Sequence, residues 1–210
     1  RPPWKAFNNT TSGTFQAWGT EGGFTSGVYS SGGSSFTLNG SSQSGHWLKL
    51  ELPHRIYPSY VTILTHASNT TFRPTSGFLI GSNDDEDWDV LNQYSALSYT
   101  SGIATLTSQN TNKAYKYILL LIQTLDTNTG TYAFIENFDI YGHKEGDLTR
   151  FPEPTRVLKY PHVAMTGPAQ RGYVASASSQ TTGTADRVPY QAFNNGLTAH
   201  EWRSGGADYT

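Results

Sequence analysis

Asp84-Asp85-Glu86-Asp87 is the one acidic cluster of this chain, and metal binding is the first chemistry to test against it. The run lacks the glycine and the alternating ligand spacing of an EF-hand loop, so it reads as a solvated hairpin turn leading into Trp88. Catalysis finds no motif. There are six His, yet no His-Glu-x-x-His, no Gly-x-Ser-x-Gly and no phosphate loop. Two carboxylates could meet in space as in a glycosidase, but the carboxylates are few and mostly gathered in that turn. Rings are the better candidates, because an exposed ring offers a flat apolar face to a ligand while nearby polar groups take its hydrogen bonds. Phe24, Tyr29, Tyr57 and Phe72 fall in expected loops, with His46 and His66 near strand ends. Arg73 is the best polar candidate, since a guanidinium can fork two vicinal oxygens. Its alternative is an ion pair with the acidic turn. Each ring has an alternative too, as plain core or plain surface.

The elements that would position these groups are strands. His46 to Leu52 alternates, with Leu48, Leu50 and Leu52 on one face and Trp47, Lys49 and Glu51 on the other, and Pro53 is expected to end it. Tyr60 to Leu64, Phe78-Leu79-Ile80, Trp88 to Leu91 and Tyr132 to Tyr141 follow as further strands. Tyr115 to Ile122 is the most apolar run, read as a central strand covered on both faces. Short strands separated by Gly/Ser/Thr/Asn turns imply an all-β, antiparallel β-sandwich.

Ala-Phe-Asn-Asn occurs twice, at Ala6–Asn9 and Ala192–Asn195, each after a proline and an aromatic residue and before a tryptophan. The chain therefore reads as one module over 1–146 and a proline-punctuated linker over 147–167. The opening of a second copy follows over 168–210. The first copy is expected to lack its opening strand, and the segment from Tyr173 is a candidate to fill that place. Arg1-Pro2-Pro3-Trp4 is neither a signal peptide nor a natural start, and reads as a cut in a longer tandem protein.

Five stretches appear in an order that resembles a known family. They are Ala6-Phe7-Asn8-Asn9 with Trp18, Gly45 to Pro53, Pro74 and Phe78 to Asp84 with Trp88, Tyr115-Lys116-Tyr117, and Ile135 to Gly142. Together they resemble the discoidin, or coagulation factor 5/8 type C, domain. The resemblance implies a galactose-binding-like jelly-roll fold that holds glycans, lipid head groups or proteins in loops at one end. It also implies that Trp18, Trp47 and Trp88 pack, and that a structural calcium has Asn8 and Glu136 among its ligands. Asn8 stands where the family often has Asp, which removes a charge and weakens such a site. Tandem copies in Ser/Thr/Asn-rich, cysteine-free chains also resemble surface proteins of large algal DNA viruses and of some phages.

Composition narrows the partners. A net charge of −2 without a basic run argues against nucleic acid. No apolar stretch approaches the ~20 residues of a membrane-spanning helix. With no cysteine, stability must come from packing, and release from a reducing cytosol suits the chain. The expected function is non-catalytic recognition of cell-surface glycans by a secreted or virion-surface protein. The alternative is a capsid or fibre building block that contacts other protein subunits.

Overall fold

In the computed structural model, the described residues are 3–7, 17–66, 69–110, 112–127, 129–147, 158–160 and 169–177. Asn8 and the second Ala-Phe-Asn-Asn lie outside them. Among the described residues every strand pairing is antiparallel, and the one helical piece is the 3-10 turn Pro3–Phe7.

The strands are β1 (Trp18–Gly19), β2 (Phe24–Thr25), β3 (Val28–Tyr29), β4 (Ser34–Leu38), β5 (Ser41–Leu64), β6 (Pro74–Ser82) and β7 (Asp89–Tyr94). There follow β8 (Ile103–Thr107), β9 (Tyr115–Leu125), β10 (Phe134–Ile135), β11 (Asn137–Lys144), β12 (Leu158–Tyr160), β13 (Ala169–Gln170) and β14 (Tyr173–Ala177). The spine is β5. Pro53 does not end it, contrary to the expectation from sequence. Proline has no N–H to give a ladder and is admitted where pairing breaks. Here it lies where the β5–β9 register shifts, between Glu51 and Ile56.

That bend lets one strand serve two layers. His46–Glu51 pairs with β9, which pairs with β6, which pairs with β7. Beyond the bend, β5 pairs with β11 on one side and β8 on the other, and β12 lies outside β11. Leu48, Leu50, Leu79, Ile118 and Leu120 of the first layer share one core with Val61, Ile63, Leu106, Phe138 and Ile140 of the second. Trp4, Phe7 and Trp18 are buried in it. The result is the expected antiparallel jelly-roll β-sandwich. Each such aliphatic side chain contributes about 1.5–3 kcal/mol through burial.

A second cluster explains why β9 is apolar on both faces. Leu119 and Leu121 point away from the main core and meet Phe78, Ile80 and Leu38, with Phe36, Trp47, Trp88 and Val90 packed alongside. The β4–β5 hairpin, Ser34 opposite Gly45 through Leu38 opposite Ser41, brings Phe36 and Leu38 to this cluster. The edge of the first layer is closed by β14, with Val174 opposite Glu51 and Ala177 opposite Leu48.

Candidate functional site

The loops at one end of the sandwich interlock. The turn after β9 is the keystone, because it bonds to loops on both sides of it. Thr20 N–H donates to the Ala133 carbonyl at 3.1 Å, and Phe24 N–H donates to that of Thr131 at 3.3 Å. The Ala133 N–H in turn donates to the Thr20 hydroxyl at 3.1 Å. On the other side Phe134 N–H donates to the Phe72 carbonyl at 3.1 Å, and Asp126 N–H to that of Arg73 at 2.9 Å. Paired loop backbones hold their side chains in fixed relation, which binding sites require.

The sequence candidates divide at this end. Phe72 stacks on Tyr132 with ring centroids 4.0 Å apart and planes 17° apart, and both rings are half-buried. Val28 (55% exposed) and Ile103 (46%) are the exposed large apolar side chains among the described residues, and both sit here. Val28 lies opposite Thr124 near the end of β9, and Ile103 lies opposite Leu64 at the end of β5. Arg73 is only 8% exposed. It neither reaches solvent as a sugar fork would nor pairs with the acidic turn. Its guanidinium donates to the His66 carbonyl at 2.9 Å and lies 5.2 Å from the Tyr99 ring centre. Burying so polar a group is tolerable only with such partners.

Phe24 and Tyr29 turn inward instead. Their rings lie 6.3 Å apart edge-to-face, and each meets the His46 ring, at 5.3 and 5.6 Å. His46 is held below its ordinary 6.5 by burial, against the pull of the Gly22 and Ser31 carbonyls. Gly23 permits this cluster. At φ +88° it is in the left-handed region, and a Cβ there would collide with the His46 ring and the Ser31 carbonyl. Tyr57 lies away from this end, half-buried and opposite His143 on the second layer. The loop-end stack therefore keeps Phe72 from the sequence set and adds Tyr132. The sequence reads Tyr132 as the start of a strand, whereas β10 begins at Phe134 and Tyr132 lies in the loop before it.

Glu136 is 7% exposed, and its N–H donates to the Leu64 carbonyl at 2.8 Å. Burial raises its carboxyl, and the neighbouring His66 pulls the other way. Among the described residues no three His, Asp or Glu side chains gather as a metal set. A buried carboxylate fits one ligand of a calcium site; its implied partner Asn8 lies outside the described residues.

The acidic turn lies at the other end of β6, and it is a hydrogen-bonded cap. Asp84 accepts from the N–H groups of Asp87 at 2.9 Å and Glu86 at 3.0 Å and from the Ser82 hydroxyl at 2.9 Å. These bonds hold its carboxyl down at about 2. Beside it is an open groove of about 520 Å³, lined by Ser35, Phe36, Asp85, Glu86, Trp88 and Lys113 among others. Trp88 and Phe36 meet edge-to-face at 5.7 Å in its wall.

No known family profile matches the chain, and no curated protein matches it. Similar solved structures include carbohydrate-binding and chitosan-binding modules. One is CBM32-3 from a family 31 glycoside hydrolase of Clostridium perfringens, 16% identical with a TM-score of 0.39, over 46% of this chain and 65% of that one. Another is the C-terminal domain of a chitobiase from Bacteroides fragilis, 22% identical with a TM-score of 0.38, over 50% and 68%. A third is chitosan-binding module 1 from a chitosanase/glucanase of Paenibacillus sp. IK-5, 18% identical with a TM-score of 0.36, over 66% and 97%. CBM32 modules are galactose-binding-like domains of the discoidin type. The chain thus covers less than two thirds of the first of these structures.

Proposed function

We propose that this chain is a non-catalytic carbohydrate-binding module of a secreted or virion-surface protein, and that it takes cell-surface glycans at the interlocked loop end. The observation that carries this reading is the half-exposed Phe72–Tyr132 stack, set in loops whose backbones are hydrogen-bonded to each other. A ring pair of this kind offers a flat apolar face to a pyranose, while Thr127, Thr129 and Thr131 supply hydroxyls close by in sequence. Arg73 and Glu136 are buried, and among the described residues the charges exposed at this end are two carboxylates, Glu21 and Asp126. A neutral, polyhydroxylated ligand suits it better than an anion.

Such a site is shallow and single-site affinity is low, so repetition along a tandem protein supplies avidity. A multivalent presentation of the chain on a glycan array tests the reading. Hits are expected, and Tyr132→Ala should lower the affinity of each about tenfold, the loss of one ring contact of ~1.4 kcal/mol. Hits that survive Tyr132→Ala and Phe72→Ala together would move the site elsewhere. An array without hits, with self-association in solution, would favour the structural role among protein subunits.

Calcium belongs to the same reading. Glu136 would provide one carboxylate ligand, and the ion would fix the loop end without entering the glycan contact.

A further inference from the structure

The strand Tyr173–Ala177 sits in one module and belongs, by sequence, to the next. In the structure it lies antiparallel on the β5 edge, paired from Val174 opposite Glu51 to Ala177 opposite Leu48. Tyr173 is buried in the main core, among the same side chains as Trp4, Ala6 and Phe7 of the 3-10 turn Pro3–Phe7. Yet the strand stands just upstream of the second Ala-Phe-Asn-Asn, at Ala192–Asn195. A second module on the same plan needs a strand at the corresponding edge. The alternating run of sequence nearest upstream of its own Ala-Phe-Asn-Asn is Tyr173 to Ser179, so one strand has two claimants.

The edge cannot be left bare without cost. Unpaired N–H and C=O groups along Leu48–Glu51 would face solvent and invite any extended chain. A strand of the same sequence from another copy would restore each ladder bond, so exchange changes the connectivity and leaves the contacts alone. The route from Lys144 to Ala169 holds four prolines, Pro152, Pro154, Pro161 and Pro168. Between them only Leu158–Tyr160 pairs with the module among the described residues, on β11.

We propose that Tyr173–Ala177 is an exchangeable clasp, a donor strand that closes the sheet of the module before it and, passed between chains, joins two copies through the β5 edge. Within one chain its effective concentration favours the closed monomer. Neighbouring modules of a tandem array would offer a competing edge at similar concentration.

The chain has no cysteine, so engineered pairs report without background. Facing residues of an antiparallel ladder have Cα atoms about 4.5–5.5 Å apart, within disulfide reach. The double variant Glu51→Cys/Val174→Cys, oxidised at low concentration, should give a monomer with an internal disulfide. Lys49→Cys/Ser176→Cys is the second pair, for use if the first does not fold by circular dichroism. The single variants Glu51→Cys and Val174→Cys, unfolded and refolded together at high concentration, should then give the mixed disulfide dimer about tenfold over either like dimer. Failure of both double variants to close would remove the clasp. Closure together with like and mixed dimers in merely statistical proportion would remove the exchange.

Discussion

The two ends of β6 carry similar residues put to opposite uses. At its start Arg73 and Glu136 are both buried, while Val28, Ile103 and the Phe72–Tyr132 stack remain partly or largely open. At its far end the charges are outside: Asp84, Asp85, Glu86 and Asp87 are exposed, and Trp88 is half-buried against Phe36. The first arrangement leaves a rim of apolar tips with two separate carboxylates, Glu21 and Asp126, while the second gathers its carboxylates in one fringe beside a groove. The lesson is that a charged side chain in a loop is no guide to function until its burial is known. Buried, it builds the loop; exposed, it sets the local field.

Arg73 is where breaking this contrast should cost most. If its role is architectural, Arg73→Ala leaves the His66 carbonyl and the Tyr99 ring without their partner, a loss of about 2–4 kcal/mol. Thermal unfolding should then shift down by about 5–12 °C. Arg73→Lys should recover only part of this, because an ammonium lacks the planar fork. A stable Arg73→Ala protein with lost glycan binding would instead make Arg73 a ligand contact, as its residue type first suggested.

Glu136 sharpens the same contrast through pH. Burial raises its carboxyl above the ordinary 4.5, so the folded chain holds a proton that the unfolded chain has released. Its contribution is fully present below pH 4.5 and is lost as pH rises through the raised folded value. Without calcium, Glu136→Gln should therefore raise the melting temperature at neutral pH by a few degrees and flatten its pH dependence. Calcium reverses the sign for the native residue, because it favours the ionised form. Added calcium should stabilise the native chain and not Glu136→Gln. Equal responses of the two would leave Glu136 as a buried acid and no more.

The sequence made the layers legible and the loops only partly so. Alternation at Leu48, Leu50 and Leu52, and the continuous apolar run of β9, depend on periodicity within one strand, so they read directly. The passage of β5 through Pro53 did not, because a bulge depends on which strands lie on either side. The chemistry of Phe24 and Arg73 makes them candidates, but what buries them is contact with His46 and Tyr99, residues distant in the chain. Tyr132 is not legible as a site residue for the same reason. Its importance appears only when the turn after β9 is brought against Phe72. The acidic turn is legible as a turn because its bonds are local, from Ser82 to Asp87.

The smallest effect belongs to the acidic end, and its smallness is the point. Lys113 pairs with Asp89 and lies 5.5 Å from the Tyr115 ring centre, but it is 56% exposed. A pair so open to water gains little over separate hydration and loses side-chain freedom on forming. Lys113→Ala should therefore change stability by less than about 0.5 kcal/mol, with little further change in high salt. Chemical denaturation with and without salt measures both. A loss several times larger would mean that the pair holds Tyr115, whose ring is buried and whose hydroxyl accepts from the Asn110 amide at 2.7 Å. In that case the charged end, like the loop end, would be built by its cation, and the contrast between the two would fail.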